Sequence, residues 1–153
     1  MTGLHYRSAY AFGALLVGLA AALLPPGDAR ADAAPAEPDV RASMQCDRAT
    51  EPGRVRCTVE VRVEGGQTLA WADVEITSLP DFASALKGRI GPQDALARDA
   101  VSTKWGLALI ARRAGQGEAR ARVRVVVCPA GGASPSRCAP RTIEVKATLS
   151  VSA

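Results

Sequence analysis

The sequence predicts an all-β fold, a sandwich of about six or seven antiparallel strands. Three observations predict it. Valine alternates with charged residues over long runs, turn residues separate those runs, and almost nothing downstream of residue 31 repeats at a helical period.

Residues 1–31 read as a cleavable export signal rather than as part of that fold. Arg7 and the amino terminus supply a positive start, an apolar run covers Ala9 to Leu24, and Pro25-Pro26-Gly27 ends it. Small-residue cleavage patterns follow at Ala29-Arg30-Ala31 and Ala31-Asp32-Ala33. The run is shorter than the roughly 20 apolar residues of a spanning helix, so no membrane span is expected after cleavage. Residues 32–38, rich in Ala and Pro, read as a flexible tether. The sandwich is expected over 39–153.

Within it, Val40, Ala42, Met44 and Cys46 alternate with polar residues, and Glu51-Pro52-Gly53 marks a turn. The next run is the cleanest: Val55, Cys57, Val59, Val61 and Val63 against Arg54, Arg56, Thr58, Glu60 and Arg62. A period of two with one apolar face is a half-buried strand. Gly65-Gly66 then suggests a hairpin. A third strand is expected from Thr68 to Leu79, with Trp71, Val74 and Ile76, stopped by Pro80. Residues 80–103 are the least legible. Phe82, Ala85, Leu86 and Ile90 suggest a short strand near 84–90, and Pro92 to Ala100 a helical turn with Leu96 inward. Trp105 to Ala111 reads as a strand, Gly115-Gln116-Gly117 as a hairpin turn, and Ala121 to Val127 as a strand alternating with Arg120, Arg122 and Arg124. A Gly, Ser and Pro loop runs from Pro129 to Pro140, and Ile143, Val145, Ala147, Leu149 and Val151 share one face of the last strand. The immunoglobulin-like sandwich is the architecture this pattern fits best, with a small open barrel as the alternative.

Composition excludes much chemistry. The single histidine is His5, inside the export segment, so 32–153 contain none. That removes Ser-His-Asp and Cys-His nucleophile pairs and every histidine zinc site. Trp71, Phe82 and Trp105 are the aromatics of that region, too few for a nucleic-acid stacking platform. The formal charge of the full chain is +4, and losing Arg7, Asp28 and Arg30 lowers it by one. No phosphate-cradling loop or calcium loop is present. A non-enzymatic protein with no cofactor and no nucleic-acid partner is expected. Carboxylate catalysis by Asp94 and Asp99, or by Asp73 and Glu75, is the weaker enzymatic option. The arginine rows Arg54, Arg56, Arg62 and Arg120, Arg122, Arg124 would suit an anionic headgroup or acidic polysaccharide, but solvated sheet faces carry such rows routinely.

Cys46, Cys57, Cys128 and Cys138 all follow the export segment, and an even number in an exported domain predicts disulfides. Local pairing joins Cys46 to Cys57 and Cys128 to Cys138. The inward parity of Cys46 and Cys57 favours it. The alternative is an antibody-type bridge from Cys57 to Cys128 with Trp71 packed on it. Against it, Cys128 is off the parity of Val123, Val125 and Val127, and Val126 occupies the tyrosine-corner position. Four thiolates at these spacings do not match a zinc site.

The stretch from Val123 through Cys128 to Cys138-Ala139-Pro140, with the strand that follows, resembles the end of the periplasmic immunoglobulin-like amino-terminal domain of the thiol:disulfide interchange reductases. The resemblance implies an exchanging pair at Cys128 and Cys138, with Arg137 beside it. The function expected is therefore a periplasmic or secreted sandwich that binds or supports an envelope partner, such as a protein, and the alternative is a thiol:disulfide carrier.

Overall fold

A computed structural model describes residues 39–129, 131 and 137–153, all within a unit spanning Pro35–Ala153. The export segment and the tether lie outside the described residues, as does most of the loop expected after Pro129.

Among the described residues, nine strands form two antiparallel sheets: β1 (Val40–Cys46), β2 (Gly53–Val63), β3 (Gln67–Ser78), β4 (Ala83–Ala85), β5 (Arg89–Ile90), β6 (Ala97–Arg98), β7 (Ser102–Ala111), β8 (Gly115–Pro129) and β9 (Ala139–Val151). The first sheet runs β1-β2-β7-β4, with β6 also on β7, and the second runs β5-β3-β8-β9. The protein is an all-β, immunoglobulin-like sandwich. Alternation decides which side of each strand faces the other sheet. Val55, Cys57, Val59, Val61 and Val63 are buried along β2, and Ala119, Ala121, Val123, Val125 and Val127 along β8. Thr103, Trp105, Leu107, Leu109 and Ala111 complete the facing layer on β7. Full burial of a valine or leucine side chain is worth about 1.5–3 kcal/mol.

Several sequence expectations change. Gly65 and Gly66 both have φ of 71°, a glycine conformation, but they do not make a hairpin. They carry the chain from β2 in one sheet to β3 in the other. Turn chemistry marks the bend without saying which sheet the next strand joins. Gly115 and Gly117 lie in β8, not in a turn, and the bend is at 112–114. A Cβ on Gly117 would come within 2.6 Å of the Pro80 ring, so glycine there answers a close approach.

The illegible segment weaves between the sheets. The single strand expected near 84–90 is two short ones, β4 on β7 and β5 on β3. Phe82 and Ile90 are buried as anchors, whereas Leu86 is exposed. The helical turn is a 3-10 turn at Pro92–Asp94. Leu96 is 64% exposed rather than inward, and its side chain lies over Gly106 on the outer face of β7. Elements two or three residues long carry too little periodicity to be read.

Candidate functional site: the outer face of the second sheet

The cysteines pair locally. Cys46 and Cys57 stand directly opposite each other in the β1–β2 ladder, with Cα atoms 3.9 Å apart, and Cys57 is fully buried. Cys128 and Cys138 are bonded with Cα atoms 4.2 Å apart, one step beyond the Val127–Ala139 pair of the β8–β9 ladder. The two bridges face opposite ways. Val127 is buried, so its neighbour Cys128 points to the outer face, where both Cys128 and Cys138 are half-buried. The antibody-type Cys57–Cys128 bridge is absent: such a bridge crosses between the two sheets, and here only Cys57 points between them.

Trp71 does not pack on a bridge in the core either. The β3–β8 register pairs Leu69 with Val127 and Trp71 with Val126, leaving Ala70 as an extra residue. That bulge restarts the alternation and turns Trp71 outward, where it is 38% exposed. The tryptophan between the sheets is Trp105, fully buried, with its indole N–H donating to the Gly91 carbonyl at 2.9 Å.

Register then assembles an outer surface from three strands. Trp71 lies opposite Val126, and Val126 opposite Pro140. Thr68, Cys128 and Cys138 form the next row towards the end of the sheet, with the Thr68 hydroxyl donating to the Cys128 carbonyl at 3.3 Å. On the other side is Asp73, which is 3% exposed although its strand position is outward. It is covered by two guanidinium groups. Arg89 Nε donates to Asp73 Oδ2 at 2.8 Å, and Arg124 binds both carboxylate oxygens, with Nε 2.9 Å from Oδ1. Asp73 holds the Arg124 guanidinium above the ordinary arginine range, and Arg124 also lies 5.8 Å from the Trp71 ring centroid. A buried carboxylate needs such partners to avoid an uncompensated charge.

The arginine rows separate by their partners. Arg120 pairs with Glu118, Arg122 with Glu144 and Arg124 with Asp73. Arg62 lies 3.6 Å from Glu60, while Arg54 and Arg56 are exposed with no ion pair among the described residues. The row on β8 is therefore a neutralised sheet face. Of the suggested catalytic carboxylates, Asp94 and Asp99 are each engaged by other groups. Lys87 and the Gly91 N–H bind Asp94 and lower its pKa. The Val101 N–H, the Ser102 hydroxyl and the Ser102 N–H bind Asp99 and lower its pKa. Both carboxylates brace turns, and Asp73 and Glu75 sit on the arginine-covered face. Among the described residues no group of acidic, histidine or cysteine side chains could hold a metal ion, and no helix is long and apolar enough to cross a membrane.

No family model matches the chain, and no curated protein matches it. Among solved structures it is similar to the ASH / PapD-like domain of human CEP192 (PapD-like domain 7), at 14% identity and a TM-score of 0.38, over 88% of this chain and 96% of that one. It is also similar to BslA, a bacterial hydrophobin, at 13% identity and a TM-score of 0.32, over 72% of this chain and 93% of that one. Likenesses this distant carry no functional argument, and neither joins the chain to the thiol:disulfide interchange family.

Sequence reasoning missed this surface because the Ala70 bulge leaves no composition signature. Asp73 also meets partners 16 and 51 residues away in sequence. Trp71 two residues before Asp73 was the one available hint.

Proposed function

We propose that this chain is an exported, non-enzymatic binding module of the cell envelope. It would be released from its signal near Ala31 and act in the periplasm or outside the cell. The observation that carries the reading is the outward row Trp71–Val126–Pro140, framed by the Cys128–Cys138 bridge and the Asp73 ion network. Both frames are cross-strand links, so the surface is presented on a rigid scaffold, as recognition surfaces generally are. Two disulfides also favour an oxidising compartment.

Two measurements test it. Sequencing the mature amino terminus from the envelope fraction should find a start near Asp32, and a chain that keeps Met1 and stays in the cytoplasm sinks the export half. For the binding half, a photo-crosslinking residue at position 126 should capture an envelope component, whereas the same residue at position 104 on the other sheet should not. Equal capture, or none, removes the surface from consideration.

Thiol:disulfide exchange through Cys128 and Cys138 is the second reading. What favours it is the placement of that bridge on an outer face, half-buried, beside the exposed Arg137. Nearby positive charge stabilises the thiolate that exchange requires. A redox titration with mass-spectrometric mapping decides it. Opening at a mild potential supports exchange, and closure down to about −300 mV marks a staple.

A further inference from the structure

Next to the outward row, the sheet surface dips into a recess of about 310 Å³ lined by Trp71, Asp73, Arg89 and the turn Gly91–Asp94. Its walls are held from behind. The Gly91 carbonyl takes the buried Trp105 indole N–H, the Gly91 N–H donates to Asp94 Oδ2 at 3.1 Å, and Lys87 grips Asp94 Oδ1 at 2.8 Å. Asp73 fixes Arg89 through Nε alone, which leaves both Nη nitrogens without a partner among the described residues. The Trp71 indole N–H and the Gln93 carboxamide are likewise unpartnered there, and the carboxamide lies over Gly91.

An exposed aromatic ring, fixed donors and one amide that both donates and accepts make a specific combination. A ring with an apolar C–H face and a rim of hydroxyls satisfies all three. The C–H face covers the indole, and the hydroxyls take the Arg89 and Trp71 donors and exchange bonds with Gln93. Charge selects within that class. Arg89 and Arg124 face Asp73, Lys87 faces Asp94, and Arg122 is opposite Glu75 while bonded to Glu144, so cations and carboxylates balance around the recess. A balanced rim gives an acidic polymer no net attraction.

We propose that the Trp71–Arg89–Gln93 recess is a subsite for a neutral saccharide, in which a pyranose ring stacks on Trp71. The inference rests on the binding-module reading and names the ligand class of that face. Its test uses the full chain with both disulfides formed and a panel of neutral hexasaccharides of glucose, mannose and N-acetylglucosamine, with hexagalacturonate as the acidic comparison. The readout is the pair of indole N–H resonances in nuclear magnetic resonance spectra. At least one neutral oligosaccharide should shift the Trp71 resonance and leave that of Trp105 in place. Measured by isothermal titration calorimetry, because variants at position 71 lack the reporting indole, Trp71→Ala should weaken that binding about tenfold or more, and Gln93→Ala should weaken it less. Trp71→Phe should retain most of it, which separates loss of the ring from loss of the fold. No shift with any neutral glycan, a shift with hexagalacturonate alone, or binding that survives Trp71→Ala overturns the proposal. Should the glycans fail while position 126 still captures an envelope protein, the saccharide subsite falls and the binding module stands.

Discussion

Cys46–Cys57 and Cys128–Cys138 close loops of almost equal length, with separations of 11 and 10 residues. Each joins neighbouring antiparallel strands, yet one bridge points between the sheets and the other away from them. Chain-closure entropy treats them alike, at roughly 2–3 kcal/mol each. Their surroundings do not. Cys57 belongs to the apolar layer with Val55 and Val59, so its sulfur also fills core volume. Cys128 fills none and borders Thr68 and Val126. The same covalent link is thus a core component in one sheet and an accessible surface feature in the other. The tryptophans repeat the contrast, Trp105 inward and Trp71 outward.

The largest expected effect sharpens that contrast directly. Replacing Cys46 and Cys57 together by Ala should cost about 3–5 kcal/mol, and replacing Cys128 and Cys138 by Ser about 2 kcal/mol, read from urea midpoints. Equal costs would mean that burial of Cys57 adds nothing to loop closure. The tryptophans give a smaller test. Trp105→Phe should cost about 1–2 kcal/mol, because the Gly91 carbonyl loses its donor in a buried setting. Trp71→Phe should stay within about 0.5 kcal/mol of the parent. A destabilising Trp71→Phe would place that ring in the core and break the comparison.

The smallest effect concerns acid. Asp94, Asp99 and Glu118 are all held below their ordinary ranges: Asp94 by Lys87, Asp99 by the Val101 N–H, and Glu118 by Lys146 and Arg120. A folded pKa below the unfolded one means the unfolded chain takes up protons first as the solution is acidified. The stability these groups add is therefore complete above about pH 5 and fades as pH falls through the ordinary aspartate value and below it. Denaturation midpoints measured from pH 6 to pH 3 should decline, and Asp99→Asn should flatten part of that decline. A midpoint independent of pH would mean these turn contacts do not persist in solution.

How much of the molecule was legible in its sequence follows from the length of the repeating pattern. In β2 and β8 the alternation runs for many residues, so strand, buried face and the opposite parity of Cys57 and Cys128 could all be read from residue order alone. Strands β4, β5 and β6 are two or three residues long, and their sheet membership depends on pairing partners far away. The candidate site lies on the illegible side of that division. One unpaired residue, Ala70, reverses the direction of Trp71. Asp73 reads as an ordinary solvated acid until Arg89 and Arg124 arrive from other strands. Arg120 and Arg122 show the converse, since alternation placed them outward but could not reveal Glu118 and Glu144 beside them.

One small contact bears on the order of assembly. Ala49, in the β1–β2 connection, forms a parallel bridge with Val151, donating to the Ser150 carbonyl at 3.1 Å and accepting from the Ser152 N–H at 2.9 Å. Both disulfides join residues near in sequence and can form within isolated hairpins, but this bridge joins residues roughly 100 apart and must wait until both hairpins exist. In pulse-labelled hydrogen exchange during refolding, the Ser152 amide is then expected to gain protection after the amides of β2 and β8. A late clasp of this kind makes the contact between the β1–β2 connection and the end of β9 the first to be released on unfolding, with every covalent link still intact.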